Sequence, residues 1–237
     1  MKRATVMFIS MGFILLMWSI KVIHNTYYID TVLEWTESIQ TFSLYALAYG
    51  LFTVISVTLL LRLGKEKYRD IGFDKQNILK QLGIGILFGA LIFLLHNLVV
   101  TTIVDAILPE AAEGIDLSTL FSNIYFLPVW IFLALFKAGF SEELWRIFTL
   151  TRFEKCFGKA GLFTALIVGS AVFSFGHLYQ GVDGMIPTMI RGLLYASVYL
   201  RKRRAFEAVF CSCHFRLNKC YTRIHSVETL INNFIYA

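Results

Sequence analysis

Predominantly apolar stretches of roughly 15 to 22 residues recur along the chain, at about 5–23, 42–62, 82–103, 122–140, 161–178 and 186–200. A helix rises about 1.5 Å per residue, so each run has about the length needed to cross ~30 Å of hydrocarbon. Strand-like alternation is absent and there are only 3 prolines, so helices rather than a barrel would satisfy the backbone inside lipid. Composition agrees: 57% hydrophobic residues, 16% charged and a mean hydropathy of +0.65 exclude an ordinary water-soluble domain. The expected fold is an all-α, multi-pass transmembrane helix bundle of about six spans, with a weaker run from Ala205 as a possible short seventh. The opening MKRATVMFISMGFILLMWSI has a basic start, but its apolar core is too long for a typical signal peptide and no small-x-small cleavage pattern follows. It is read as the first span.

The net charge of +6 matters by where it falls. Lys2 and Arg3, the loop RLGKEKYRDIGFDKQNILK, the segment TRFEKCFGK and RKRR at 201–204 are basic. The intervening loops HNTYYIDTVLEWTESIQ and DAILPEAAEGIDLS are acidic and lack Lys and Arg, and YQGVDGM carries only an Asp. By the positive-inside rule this alternation gives a cell-membrane protein with a cytoplasmic N-terminus. The basic balance therefore reports topology in a lipid bilayer, and no nucleic-acid partner is expected.

No internal repeat or linker divides the chain, so residues 1–237 are read as a single integral membrane domain. Cys156, Cys211, Cys213 and Cys220 form no extracellular disulfide pattern, and CSCH matches no common structural zinc spacing. The segment 205–237 is an atypical polar tail, with Arg216, Lys219 and Arg223 crowded after about nine apolar-leaning residues. A short seventh helix, a re-entrant or interfacial segment, and an altered sequence all remain open for it.

Chemistry enters with FSEELWRIFTL, residues 140–150, which follows directly on an apolar run. Positions three and four apart share a helix face, so Arg146 is within reach of both Glu142 and Glu143. A carboxylate in hydrocarbon costs several kcal/mol unless paired. One Glu neutralised by Arg146 leaves the other for water activation. The plainer alternative is a surface ion pair at the end of the fourth helix, worth under ~1 kcal/mol. In the next apolar run, FSFGH sets Phe173 one turn before His177.

Glutamates and an arginine in E-E-x-x-x-R, followed about 30 residues later by F-x-x-x-H, resemble the signature of the CAAX protease and bacteriocin-processing (Abi) family of intramembrane endopeptidases. The resemblance covers about 120–218. The family's third motif, H-x-x-x-N, is matched by His214 and Asn218 in HFRLN, although Arg216 and Lys219 stand here where the family has an apolar span. The resemblance implies that Glu142, aided by His177, activates a water that attacks a peptide carbonyl. It also implies that Glu143 and Arg146 support the site beside Phe173, and that His214 and Asn218 donate hydrogen bonds to the oxyanion. A membrane-associated peptide or lipidated protein would be the substrate, in peptide or bacteriocin processing or self-immunity.

No cofactor is expected. Zinc on Glu142, His177 and His214 is the alternative, without the H-E-x-x-H that gives the usual zincin geometry. Ser141 has no visible catalytic partner. His96 and Asn97 read as helix-packing hydrogen bonders, whereas Lys137 is placed to snorkel or to pair with a carboxylate and Arg191 to answer an acidic partner. Two non-enzymatic readings compete: an immunity or scaffold protein without oxyanion donors, and a proton-coupled transporter, for which no inverted repeat is visible. The span limits also raise a conflict. Straight helices would separate Glu142 and His177 by on the order of 10 to 20 Å in depth, unless the chain tilts or breaks at Gly139, Gly158 or Gly161.

Overall fold

The computed structural model describes residues 3–28, 31, 38–108 and 124–235, with side chains described as far as residue 222. Much of the two acidic loops read from sequence lies outside these residues. Helices α1 (Arg3–Tyr27) and α2 (Ile39–Leu63) are followed by a 3-10 turn, Tyr68–Ile71. Helix α3 (Ile78–Leu95) passes through a π-helical segment, His96–Val100, into α4 (Thr101–Ile107). Helix α5 (Leu127–Leu133) runs through a second π-helical segment, Ala134–Ser141, into α6 (Glu142–Phe175). A short 3-10 turn, Leu178–Gln180, then leads to α7 (Gly181–Lys202) and α8 (Ala205–Ile235). Among the described residues there is no strand. Among the same residues, four helical stretches are long and apolar enough to cross a membrane: Ala4–Tyr27, Ile39–Leu63, Ile78–Ile107 and Leu127–Phe175. The fold is thus an all-α bundle of membrane type.

The last of those stretches is two arms. Gly158 has φ 63° and ψ −147°, a conformation that disfavours any residue with a Cβ, and there the chain turns back. Arg146 lies 4.7 Å from the Phe173 ring centroid, whereas a straight helix would separate residues 27 apart by about 40 Å. Thr149 and Leu150 line a small cavity together with Ala165, Leu166 and Ser170, so the arms run side by side in opposite directions.

The sequence-based limit of the fourth span at residue 140 is therefore too short. The helical path continues to the turn at Gly158, which places Glu142 about 22 Å from either end of the arm 127–157. Hydropathy stops at Glu142, Glu143, Arg146 and Arg152 because it counts each charge as exposed. In the folded chain Glu143 pairs with Arg146, Glu142 with Lys137 and Arg216, and Arg152 with Glu66. The depth conflict disappears with the corrected limit, since Glu142 and His177 then stand comparable distances before and after the turn.

Residues 205–235 form one continuous helix rather than a re-entrant segment, and its first half is central to the bundle. Ala205, Ala208, Cys211, Ser212 and Phe215 are fully buried. Gly85 and Gly89, four apart on α3, let α8 approach closely. A Cβ on Gly85 would lie 2.5 Å from Phe210 Cβ, and one on Gly89 would lie 2.8 Å from the Cys211 carbonyl. The pattern is the small-xxx-small packing used between helices in lipid. Replacing Gly85 by Leu is expected to overpack this contact and destabilise the protein by about 1–3 kcal/mol or more, read by thermal unfolding in detergent.

The basic segments gather at one end of the bundle. Arg152, fully buried, makes a two-pronged pair with Glu66 at 2.9 and 3.0 Å, and Lys155 adds a contact at 3.1 Å. Arg203 meets Glu154 at 2.6 Å, and the Ala205 N–H donates to the Gly72 carbonyl. Partial burial pushes the Glu66 carboxyl up, but the Arg152 and Lys155 hydrogen bonds and charges outweigh it and hold the group below the ordinary carboxylate range. Because its folded value lies below the unfolded one, Glu66 contributes stability above about pH 4.3 and loses it as pH falls through the lower folded value. The thermal-stability gap between wild type and Glu66→Gln is therefore expected to be full at pH 7 and to shrink steadily below pH 4.3.

Candidate active site

The reversal at Gly158 brings the first arm of α6 against the second, and the motif residues meet there. Glu143 is 1% exposed and accepts an ion-paired hydrogen bond from Arg146. The Arg146 guanidinium lies over the Phe173 ring, and over that of Tyr195 from α7 at 5.6 Å. Phe173 also faces Lys21 of α1 at 5.2 Å and the His177 ring at 5.0 Å. The aromatic residue of F-x-x-x-H is therefore the surface on which Arg146 and His177 both rest, and cation–π attraction in a dry site favours that arrangement.

Glu142 is not Arg146's partner. Its Oε1 accepts from Lys137 Nζ at 2.6 Å and its Oε2 from Arg216 at 3.1 Å. Lys137 comes from the π-helical segment before α6 and Arg216 from α8, so one carboxylate joins two separate elements. A carboxylate has about four acceptor positions, and two remain after these bonds. The second of the two roles the sequence offers Lys137, pairing with a carboxylate, is the one it takes. Arg216 was missed because a lone arginine in a polar tail gives no sign of the buried acid it answers, 74 residues away.

His177 closes the second arm. It is 5% exposed, and its Nδ1 lies 3.1 Å from the Phe173 carbonyl. A carbonyl only accepts, so Nδ1 carries the proton and, in the neutral ring, Nε2 keeps a lone pair. Glu142, His177, Phe173, Lys21, Lys137 and Tyr49 line one cavity of about 280 Å³. A second cavity, of about 330 Å³, adjoins it and shares Lys137 and His177. Both π-helical segments contribute to its wall, through His96 on one side and Ala134, Lys137 and Ala138 on the other. Such widened turns are frequent at functional sites, and no periodicity in the sequence signals them.

His214 and Asn218 lie elsewhere. The two bond to each other, Asn218 Nδ2 to His214 Nε2 at 3.1 Å, and His214 sits against Gly89 of α3. Neither lines the two cavities; the α8 residues that line the larger one are Phe215, Arg216, Lys219 and Cys220. Among the described residues no group of three His, Cys, Asp or Glu side chains stands close enough to hold a metal ion, and His214 does not converge with Glu142 and His177. His96 is buried and lines the larger cavity, while Asn97 returns a hydrogen bond to the Phe93 carbonyl on its own helix.

What the arrangement offers chemically is a carboxylate and an imidazole on the wall of one cavity deep in the bundle, framed by three cationic side chains. Such a pair suits the removal of a proton from water close to a polarised carbonyl. No curated protein and no solved structure matches the chain. Residues 123–218, which hold every one of these motif residues, match the family model described as type II CAAX prenyl endopeptidase Rce1-like. This match suggests an intramembrane protease of the CAAX type and is consistent with the CAAX protease and bacteriocin-processing family.

Proposed function

We propose that the chain is an intramembrane endopeptidase that hydrolyses peptide bonds with a water activated by Glu142 and His177. The observation that carries this reading is the presence of both side chains on one cavity, brought there by the turn at Gly158. Glu142 or the lone pair on His177 Nε2 takes the proton, the hydroxide equivalent attacks the peptide carbonyl, and the proton passes to the leaving amine as the C–N bond breaks. Glu143 and Arg146 hold the first arm against Phe173 and so fix the distance between base and imidazole. The family resemblance assigns oxyanion stabilisation to His214 and Asn218. In this chain Arg216, from the same helix, bonds Glu142 and lines the adjoining larger cavity, and is the better-positioned donor for that task. The substrate class is a membrane-associated peptide or lipidated protein, and peptide or bacteriocin processing or self-immunity are the settings this reading favours.

One observation favours a second reading. With both Glu142 oxygens ion-paired, and His214 and Asn218 bonded to each other and lining neither cavity, the same cluster suits a non-catalytic immunity or scaffold protein held together by buried charge. Cleavage of a membrane-associated peptide library by purified protein separates the two. The enzyme reading expects cleavage by wild type that is indifferent to a chelator and reduced at least 100-fold in His177→Asn, given that one acid–base group contributes roughly 10² to 10⁴. Folded protein that cleaves nothing supports the scaffold, and loss of cleavage with chelator points to a metal.

A further inference from the structure

The larger cavity holds groups that water activation does not use. Arg191, in the middle of α7, lines it with its guanidinium stacked 5.2 Å from the Phe215 ring centroid, and hydrogen-bonds to Thr188 one turn back. Arg216 lines the same wall. It spends one nitrogen on Glu142, while its Nε is buried and without a hydrogen-bond partner. His96, 4% exposed, also borders the cavity, and its Nδ1 is likewise unpartnered. A guanidinium offers five donors in a planar fork that fits a carboxylate, and buried donors left unbonded cost free energy unless a ligand satisfies them. The carboxylates of Asp105 and Asp183 line the cavity as well, but neither makes an ion pair with Arg191, and Asp183 lies eight residues before it on α7, about 12 Å along the helix.

We propose that Arg191, Arg216 and His96 form a carboxylate-binding subsite that fixes an acidic group of the peptide substrate beside Glu142. The inference rests on the endopeptidase reading for what the ligand is, and adds a chemical selectivity. Arg216 bonds Glu142 and also lines the larger cavity, so an acid bound there lies next to the carboxylate that activates the water. The carboxylate belongs either to the free end of the peptide or to an Asp or Glu side chain. The apolar part of the lining, which includes Trp130 and Leu133, accommodates the neighbouring hydrophobic residues.

The test uses four versions of one hydrophobic peptide, with a free or amidated end and an internal Asp or Asn, presented to protein in lipid nanodiscs. Binding is measured first to Glu142→Gln, which does not depend on cleavage. The subsite requires that at least one acid-to-amide change weakens binding roughly 10- to 100-fold, the range of a hydrogen bond to a charged group, and that Arg191→Gln abolishes the difference. Which change does so identifies the end or the side chain as the source. Equal binding of all four peptides, or a preference untouched by Arg191→Gln, overturns the subsite. The ratio of kcat/KM for acid over amide on the wild-type protein provides the second readout and should fall toward one in Arg191→Gln. Cleavage without an acid preference removes the subsite and leaves the endopeptidase standing. Acid-selective binding with no cleavage by wild type removes the endopeptidase and leaves the subsite.

Discussion

Glu142→Gln is expected to abolish peptide cleavage, with a loss of roughly 10² to 10⁴ in kcat, while leaving the protein folded. The glutamine keeps the shape of the side chain, and its carbonyl oxygen can still accept from Lys137 or Arg216, each of which now bonds a separate carboxylate oxygen. It cannot balance their charge. Removing one member of a buried ionic cluster typically costs about 3–5 kcal/mol, so a lower midpoint of thermal unfolding should accompany the lost activity. Folded protein that still cleaves within a few-fold of wild type would remove Glu142 from the chemistry. Stability and activity are both needed, because loss of activity alone would also follow from collapse of the cluster.

The second large effect concerns Arg146. Its guanidinium is the partner of Glu143, and Glu143 has one oxygen bonded to it and the other buried without a partner. Arg146→Met leaves that carboxylate uncompensated in a dry environment and strips the cation from the Phe173 face, so a loss of about 3–5 kcal/mol is expected. Glu143→Gln combined with Arg146→Met removes both charges. The double variant should recover much of the loss, giving an interaction energy of about 1–3 kcal/mol in the mutant cycle. Denaturation in detergent measures all four corners. An Arg146→Met cost below about 1 kcal/mol would be that of an exposed pair and would contradict the buried arrangement.

How much of this was legible in the sequence follows from what hydropathy and spacing can register. The apolar runs gave the helices of α1, α2 and α3, since none carries a charged side chain over its middle. Charge alternation grouped the basic segments, which the structure brings together through Arg152–Glu66 and Arg203–Glu154. Three-residue and four-residue spacings placed Glu143 beside Arg146 and Phe173 beside His177. The same spacings could not say which glutamate Arg146 would take, nor that Lys137, five residues before Glu142, would reach back to it across a widened turn.

The misplaced boundary has a common cause with the undecided tail. In both, charged residues end an apolar run in the sequence but are neutralised by partners distant along the chain, Arg152 by Glu66 and Glu142 by Arg216. Buried ion pairs of this kind are invisible to any window of consecutive residues. The orientation of α8 was equally hidden. Gly85 and Gly89 dictate which face of that helix meets α3, and with it that Arg216 rather than His214 lines the cavity.

Without the reversal at Gly158, Glu142 and His177 could not line one cavity. The most direct test of the reversal is disulfide formation between Thr149→Cys and Ser170→Cys in membranes, read by mass spectrometry of the linked peptides. Both residues line one small cavity between the arms, so mild oxidation should join them in most of the protein. A continuous helix would hold positions 21 residues apart at about 32 Å, and absence of the cross-link in folded protein would contradict the site as described.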